Sequence, residues 1–180
     1  MATKRHIFNA FDLQSFKESK TYQDLLQFVK LCGEKATSID ENNIIISENV
    51  SKITAYFTKL MDIIDDIPPL SQPMRFGNKA FKTWLKCVVD IETPLLLEQL
   101  LSPEQFSHIS DLDVYINNSF GNDVRIDYGT GHETNLVIFL HNLMKLSIIT
   151  MNDISAVVLV CFKQYVKLMR KLQLVYVLEP

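Results

Sequence analysis

Apolar side chains that return at every third or fourth position constrain this chain more than any other feature. Val50, Ile53, Phe57, Leu60, Met61 and Ile64 follow the i, i+3, i+4, i+7 rule, which gathers them on one face of an α-helix. Pro68-Pro69 marks its end, because the residue before a proline is pushed out of helical geometry. Leu25, Phe28, Val29 and Cys32 repeat the spacing behind a cap at Thr21-Tyr-Gln-Asp24. Phe81, Trp84, Leu85 and Val88 place a third helix from about Asn78 towards Asp90, with Pro94 closing it or opening the next turn. Ser102-Pro103-Glu104-Gln105 is a start signal, with Ser at the N-cap, Pro at the first helical position and Gln completing a capping box.

Leu136, Phe139, Leu140, Leu143 and Met144 line the helix that follows Thr130, and Thr150-Met-Asn-Asp153 caps a last long helix reaching about Tyr176. A polar connection spans residues 38–47, and only Ile45 and Ile46 hint at a strand. The pattern predicts an all-α fold, a compact multi-helix single domain over residues 1–180 without internal repeats.

With 47% hydrophobic residues, the chain has enough apolar side chains for a real core. Its net charge of -3 argues against nucleic acid, which selects a basic stripe. Lys163, Lys167, Arg170 and Lys171 share a helical face and read as a solvated one. Cys32, Cys87 and Cys161 are odd in number and lack C-x-x-C spacing, which fits a reducing compartment better than a disulfide framework or zinc site. Asn9 and Asp12 interrupt the N-terminal stretch too early for a signal peptide, and the longest apolar run, Ile154 to Phe162, stops at Lys163. These features predict a cytoplasmic or nucleocytoplasmic protein that neither spans a membrane nor binds nucleic acid.

The stretch Arg125-Ile-Asp-Tyr-Gly-Thr-Gly-His-Glu133 concentrates the polar chemistry at the mouth of a helix. Gly121, Gly129 and Gly131 supply backbone freedom there, and Thr130 with Glu133 has capping-box spacing. Unpartnered N–H groups, the positive end of the helix dipole and the planar Arg125 guanidinium together suit a phosphate. The alternative is structural: Thr130 and Glu133 cap the helix while Arg125 pairs with Asp127.

Several other chemistries are excluded by spacing. Thr134 stands where a dinucleotide fingerprint needs its third glycine, and Leu136 stands where a zinc-protease helix needs its second histidine. No G-x-S-x-G elbow is present, and the cysteines sit in apolar helical patterns where burial makes a thiol inert. His132 reads as a hydrogen-bonded structural histidine or as an acid/base group. Asp127 and Glu133 as a carboxylate pair have an undetermined separation.

The second polar cluster, Arg75-Phe-Gly-Asn-Lys-Ala-Phe-Lys-Thr-Trp84, puts Phe81 and Trp84 in the core. Taken alone the cluster reads as a helix start that serves the core; the alternative is that Phe76, Asn78 and Lys79 face a groove of the kind that accepts proline-containing peptides.

Taken in order, these motifs resemble the phosphotyrosyl phosphatase activator family, the activators of protein phosphatase 2A. Phe16 to Tyr22 resembles its opening helix, Arg75 to Trp84 its R-F-G-N-K-A-F-x-x-W block, and Ser119-Phe-Gly-Asn122 with Arg125 to Glu133 its S-F-G-N and R-I-D-Y-G-T-G-H-E signature. Leu172 to Pro180 resembles its L-Q-x-x-Y-x-L-E-P ending. The resemblance implies an all-helical fold with a nucleotide- and peptide-binding cleft. It further implies Mg-ATP-dependent activation of the phosphatase catalytic subunit, scaffold-subunit contact and peptidyl-prolyl cis-trans isomerase activity. Arg125, Thr130 and Gly131 match positions that contact ATP; Phe76, Asn78, Lys79, Asp127 and Tyr128 would face the peptide. Relatives continue past L-E-P into an A-G-S-H-G-V-W-G-L-D-D segment, so the expectation is a C-terminally shortened member with a nucleotide half-site, its Mg2+ ligands outside this chain. The competing expectation is a non-catalytic helical module that contacts phosphatase subunits without turnover.

Overall fold

Asn9 opens the first helix of the computed structural model by accepting the N–H groups of Phe11 and Asp12 at 2.8 and 2.9 Å, and Ala10–Glu18 (α1) follows. The structure describes residues 6–37, 43–73 and 76–179; the predicted roles of Arg75 and Pro180 and part of the 38–47 connection lie outside them. The Ser19 hydroxyl donates to the Phe16 carbonyl at 2.6 Å and accepts from the Tyr22 N–H at 3.2 Å. One side chain thereby ends α1 and starts Lys20–Thr37 (α2), so the cap is Ser19 rather than the expected Thr21. Ser47 caps Glu48–Asp66 (α3), whose buried Val50, Ile53, Phe57, Leu60 and Ile64 are the predicted stripe, and the helix stops at Ile67 before the diproline.

The region from Ala80 to Leu100 corrects the sequence reading. Pro94 neither closes the third helix nor starts a separate one: Ala80–Cys87 (α4), a π-helical segment Val88–Glu92 and Thr93–Leu100 (α5) run on without a break. A proline ring clashes with the carbonyl four residues earlier in an α-helix, and the wider π turn just before Pro94 opens room for it. The predicted capping box is present, with the Gln105 side chain accepting from the Ser102 N–H at 3.0 Å. It opens a 3-10 helix, Pro103–His108, before Ile109–Asn117 (α6) and a 3-10 turn, Asn118–Phe120.

Thr130–Lys145 (α7) is followed by Ile154–Ala156 (α8), a π segment Val157–Phe162 and Lys163–Tyr176 (α9), the last three forming one continuous run. Asp153 closes the turn before it, accepting from the Thr150 N–H and hydroxyl at 2.7 and 2.8 Å. Lys171 leaves the solvated face assigned to it: its ammonium group reaches α3, donating to the Met61 carbonyl at 2.9 Å and pairing with Asp65 at 2.7 Å.

Helix α3 lies centrally against α9 and α5, while α6 and α2 both pack on α7, giving the predicted all-α layer arrangement with no strand among the described residues. An aromatic cluster fills its middle. Phe120 sits 5.9 Å from Trp84, 6.3 Å from Phe57 and 6.4 Å from Tyr165, ring centre to ring centre, and all four are buried. Phe81 and Trp84 are core, as their spacing predicts. All three cysteines are free thiols, and burial pushes Cys32 up to about 11 and Cys161 up to about 12, which keeps both protonated. No helix among the described residues is long and apolar enough to cross a membrane.

Candidate functional site

Three segments far apart in sequence meet at one end of the core: residues 76–79, the run from Ser119 to Glu133, and the tail 176–179. The tail joins the other two. Gly77 and Asn78 donate their N–H groups to the carbonyls of Val177 and Tyr176, both at 2.8 Å, and Tyr128 donates its own to the Glu179 carbonyl at 2.8 Å. Asp127 forms isolated bridges with Asn122 on one side and Glu179 on the other.

Asn122 shapes the turn before the signature. Its side-chain oxygen accepts from the N–H groups of Val124 and Arg125 at 3.0 and 2.8 Å, and its carbonyl accepts from Ile126 at 2.8 Å. Ile126 is thereby held at φ 54°, a left-handed conformation that a β-branched residue rarely takes and that costs on the order of 1–3 kcal/mol. Gly77, at φ 71°, lies against it; a Cβ there would be 3.4 Å from that of Ile126. Gly121, at φ 120°, packs against the Asp127 carbonyl.

The glycines inside the signature behave differently from expectation. Gly129 is extended, at φ -149° and ψ 179°, and Gly131 is an ordinary helical residue, so left-handed backbone is confined to Gly77 and Gly121 among the described glycines. The cap is also displaced. Gly129 occupies the N-cap, Thr130 is the first helical residue, and no side chain caps α7, so the Thr130–Glu133 capping box does not form. Glu133 accepts instead from the Tyr128 hydroxyl at 3.2 Å. Gly129 and Thr130 consequently leave the N–H groups of Gly129, Thr130 and Gly131 without an acceptor among the described residues.

Arg125 is 61% exposed and pairs with Asp127, Nε to one carboxylate oxygen and Nη2 to the other at 3.1 Å; Asp127 raises the guanidinium pKa further through the hydrogen bond and its charge. The structural alternative for this pair is therefore realised. His132 stacks on Tyr128 with ring centres 5.7 Å apart, and its Nδ1 lies 2.6 Å from the Asn118 carbonyl. A carbonyl only accepts, so Nδ1 carries the proton and Nε2 faces Asp127 at 3.8 Å.

Tyr128 is buried beneath this loop. Its hydroxyl lies 3.0 Å from that of Tyr165, which donates to the Ser119 carbonyl at 2.7 Å. Burial raises both phenols above their ordinary range and keeps them neutral. Tyr165→Phe removes the donor from the buried Ser119 carbonyl and the partner of Tyr128, so it is expected to lower unfolding stability by about 1–3 kcal/mol, read from urea denaturation. A change of a few tenths would show that the two hydroxyls do not brace the loop.

The predicted peptide-facing residues divide. Phe76 and Lys79 are at the surface. Asn78 is turned inward: its side chain exchanges hydrogen bonds with Leu70 at 3.0 and 2.9 Å and accepts from the Ala80 N–H at 3.0 Å. It therefore braces the diproline loop and starts α4, and offers no groove-facing amide; Asp127 and Tyr128 are similarly committed, to Arg125 and to Tyr165. The sequence assigns Gly77, Asn122 and Tyr165 no role of their own, and Tyr165 carries no sequence signal, because it falls in a regular apolar helical stripe.

Set against known proteins, the model of the phosphotyrosyl phosphate activator (PTPA) protein family matches residues 3–180, and the chain belongs to that family. A serine/threonine-protein phosphatase 2A activator of Drosophila melanogaster is 36% identical over 99% of this chain and 45% of its own length. A probable serine/threonine-protein phosphatase 2A activator 1 of Dictyostelium discoideum is 35% identical over 97% of this chain and 54% of its own. The crystal structure of the PP2A phosphatase activator Ypa1 PTPA1 superposes with a TM-score of 0.85 at 29% identity, covering 99% of this chain and 58% of that one. The chain thus spans about half the length of the curated relatives it matches.

Proposed function

We propose that this chain activates protein phosphatase 2A, using the start of α7 to receive the phosphates of ATP and the adjoining surface to receive a proline-containing segment of the phosphatase catalytic subunit. The observation that carries the reading is the row of N–H groups at Gly129, Thr130 and Gly131, without acceptors among the described residues and in the same loop as an exposed arginine. The fit extends to side chains. Thr130 is exposed, and a Cβ built on Gly131 meets nothing within 4 Å, so a triphosphate has room to approach. The names of the Drosophila and Dictyostelium relatives support the phosphatase half of the proposal.

When bound, ATP would supply negative charge that the amides and Arg125 neutralise. Mg2+ would enter with the nucleotide phosphates, and the proposal names no ligand for it among the described residues. Prolyl isomerisation breaks no covalent bond; it requires a twisted amide to be stabilised across a barrier of roughly 18–20 kcal/mol, by desolvation and a donor. A chain without a G-x-S-x-G elbow is compatible with that chemistry. The same proposal places the chain with its phosphatase, whose catalytic and scaffold subunits are the partners, in the cytoplasm and nucleus.

Arg125→Ala is expected to weaken Mg-ATP binding by tenfold or more in titration calorimetry while helicity by circular dichroism stays unchanged. Asp127→Asn, which releases the guanidinium, is expected to leave affinity equal or several-fold tighter. Unchanged affinity in the arginine variant would defeat the nucleotide reading. One observation favours a second reading, a helical module that binds phosphatase subunits without turnover: Arg125 already spends two nitrogens on Asp127. Phosphatase binding without acceleration of a proline-peptide isomerisation assay would select it.

A further inference from the structure

The stretch between Lys86 and Arg125 contains no lysine or arginine, and every formally charged side chain in it is a carboxylate. The fold concentrates part of this stretch on one face. A groove of about 500 Å3 runs between the π segment with α5 on one side and the 3-10 helix with α6 on the other. Ile91, Leu95 and Phe106 line it at 52, 43 and 44% exposure, with Pro94 and Ile109 beside them. Helix α5 places Leu96, Leu97 and Leu100 in the core, whereas Ile91 and Leu95, one turn apart, project outward. Isolated exposed aliphatics are ordinary; several gathered around one groove mark a contact surface.

The groove's charged rim is Asp90, Glu98 and Asp113. None of the three has an ion-pair partner within 4.0 Å among the described residues. The lysines nearest along the other edge of α5 are already engaged, Lys52 with Glu48 at 2.7 Å and Lys59 with Glu92 at 2.6 Å. Asp90 also borders a neighbouring groove that contains Lys82 and Lys86, so the acidic character is strongest at the Glu98 and Asp113 end. Burial raises the Asp113 carboxyl above its ordinary range, and the Asn117 amide, donating to it at 2.9 Å, offsets part of that rise.

We propose that this groove docks an amphipathic helix of a partner protein, apolar on the side that enters between α5 and α6 and rich in Lys or Arg along its flanks. Both walls of the groove are helical, so no strand edge is available to pair with an extended peptide, and recognition must run through side chains. Ridges of a third helix fit the furrow between two packed ones. Acidic rims select a basic partner and repel anionic membranes and nucleic acid, which sets the chemical class. This proposal is independent of the nucleotide reading, since no residue in it belongs to the 125–133 loop.

Fluorescence anisotropy on the whole chain tests it with two labelled synthetic helices, both carrying Leu at i, i+3, i+4 and i+7, one flanked by Lys and the other by Glu. The Lys helix is expected to bind at least tenfold tighter than the Glu helix. Ile91→Ser with Phe106→Ser should weaken it by tenfold or more, and Asp90→Lys with Glu98→Lys should reverse the preference between the two probes. Hydrogen exchange should show new protection over residues 90–113. Equal affinity for both probes, or protection elsewhere, overturns the proposal. So does sedimentation of the chain alone as a dimer that Phe106→Ser dissociates, which would make a second copy the occupant. Preference reversal by the double lysine variant cannot arise from misfolding, so the test does not depend on the serine variants alone.

Discussion

Trp84→Ala is expected to lower the unfolding free energy by about 3–5 kcal/mol, the range for deleting a large buried aromatic. Trp84 has no exposed surface and stacks against Phe81 at 5.9 Å, meets Phe120 edge-on at the same distance, and donates its Nε1–H to the Leu60 carbonyl at 3.1 Å. The substitution therefore leaves a cavity where α3, α4 and the Ser119–Gly121 turn converge and removes a buried donor. For a chain of this size the melting temperature falls by roughly 2–4 °C per kcal/mol, so a drop near or above 10 °C is expected. Because Trp84 is the chain's one tryptophan, the measurement is far-UV circular dichroism in urea and on heating. Trp84→Phe retains an aromatic ring though not the indole N–H, and should cost clearly less. A loss below about 1 kcal/mol for the alanine variant would mean that the aromatic cluster is not the centre of the core.

Gly121→Ala is the second large effect, about 2–4 kcal/mol, with two separable causes. At φ 120° an L side chain is strained whatever surrounds it, and the added Cβ would lie 2.7 Å from the Asp127 carbonyl oxygen and 3.0 Å from the Phe81 ring. A backbone carbonyl that also accepts the Asn122 N–H at 3.1 Å cannot yield without opening the turn that shapes the signature loop. The loss should therefore be accompanied by weaker Mg-ATP binding. Gly131→Ala is the control: nothing lies within 4 Å of its new Cβ and its backbone is helical, so stability should stay level or rise by up to about 0.5–1 kcal/mol. Equal stability for both alanine variants would contradict the turn geometry.

Much of the helical architecture was legible because helices answer to near neighbours. The stripe from Val50 to Ile64 and the capping box at Ser102 each involve residues a few positions apart, and both appear where their spacing puts them. The structure departs from the spacing where a local rule has two solutions. Ser19 rather than Thr21 caps α2 because one hydroxyl serves two helices, and Pro94 lies within a continuous helical run because a π turn absorbs its ring. Thr130 and Glu133 have capping-box spacing, yet Glu133 bonds Tyr128, a partner the box does not contemplate.

The candidate site shows the same division. Its signature was readable as contiguous text, and so was the alternative that Arg125 pairs with Asp127. The supports were not, since Tyr165, Gly77 and Glu179 reach the loop from distant parts of the chain and bear no local mark of doing so. Asn78 lies beside an exposed Phe76 and Lys79 in the sequence, yet the diproline loop folds back onto its amide.

From its sequence alone this chain determines a set of amphipathic helices, their approximate ends and the family signature, because hydrophobic period and turn chemistry act over a few residues. Tertiary structure alone decided which polar groups remain open. A hydrogen-bonding group is spoken for only when a partner arrives in space, and the Tyr128 amide, the Asn78 side chain and the exposed acidic groove beside α5 each owe their condition to residues remote in the chain.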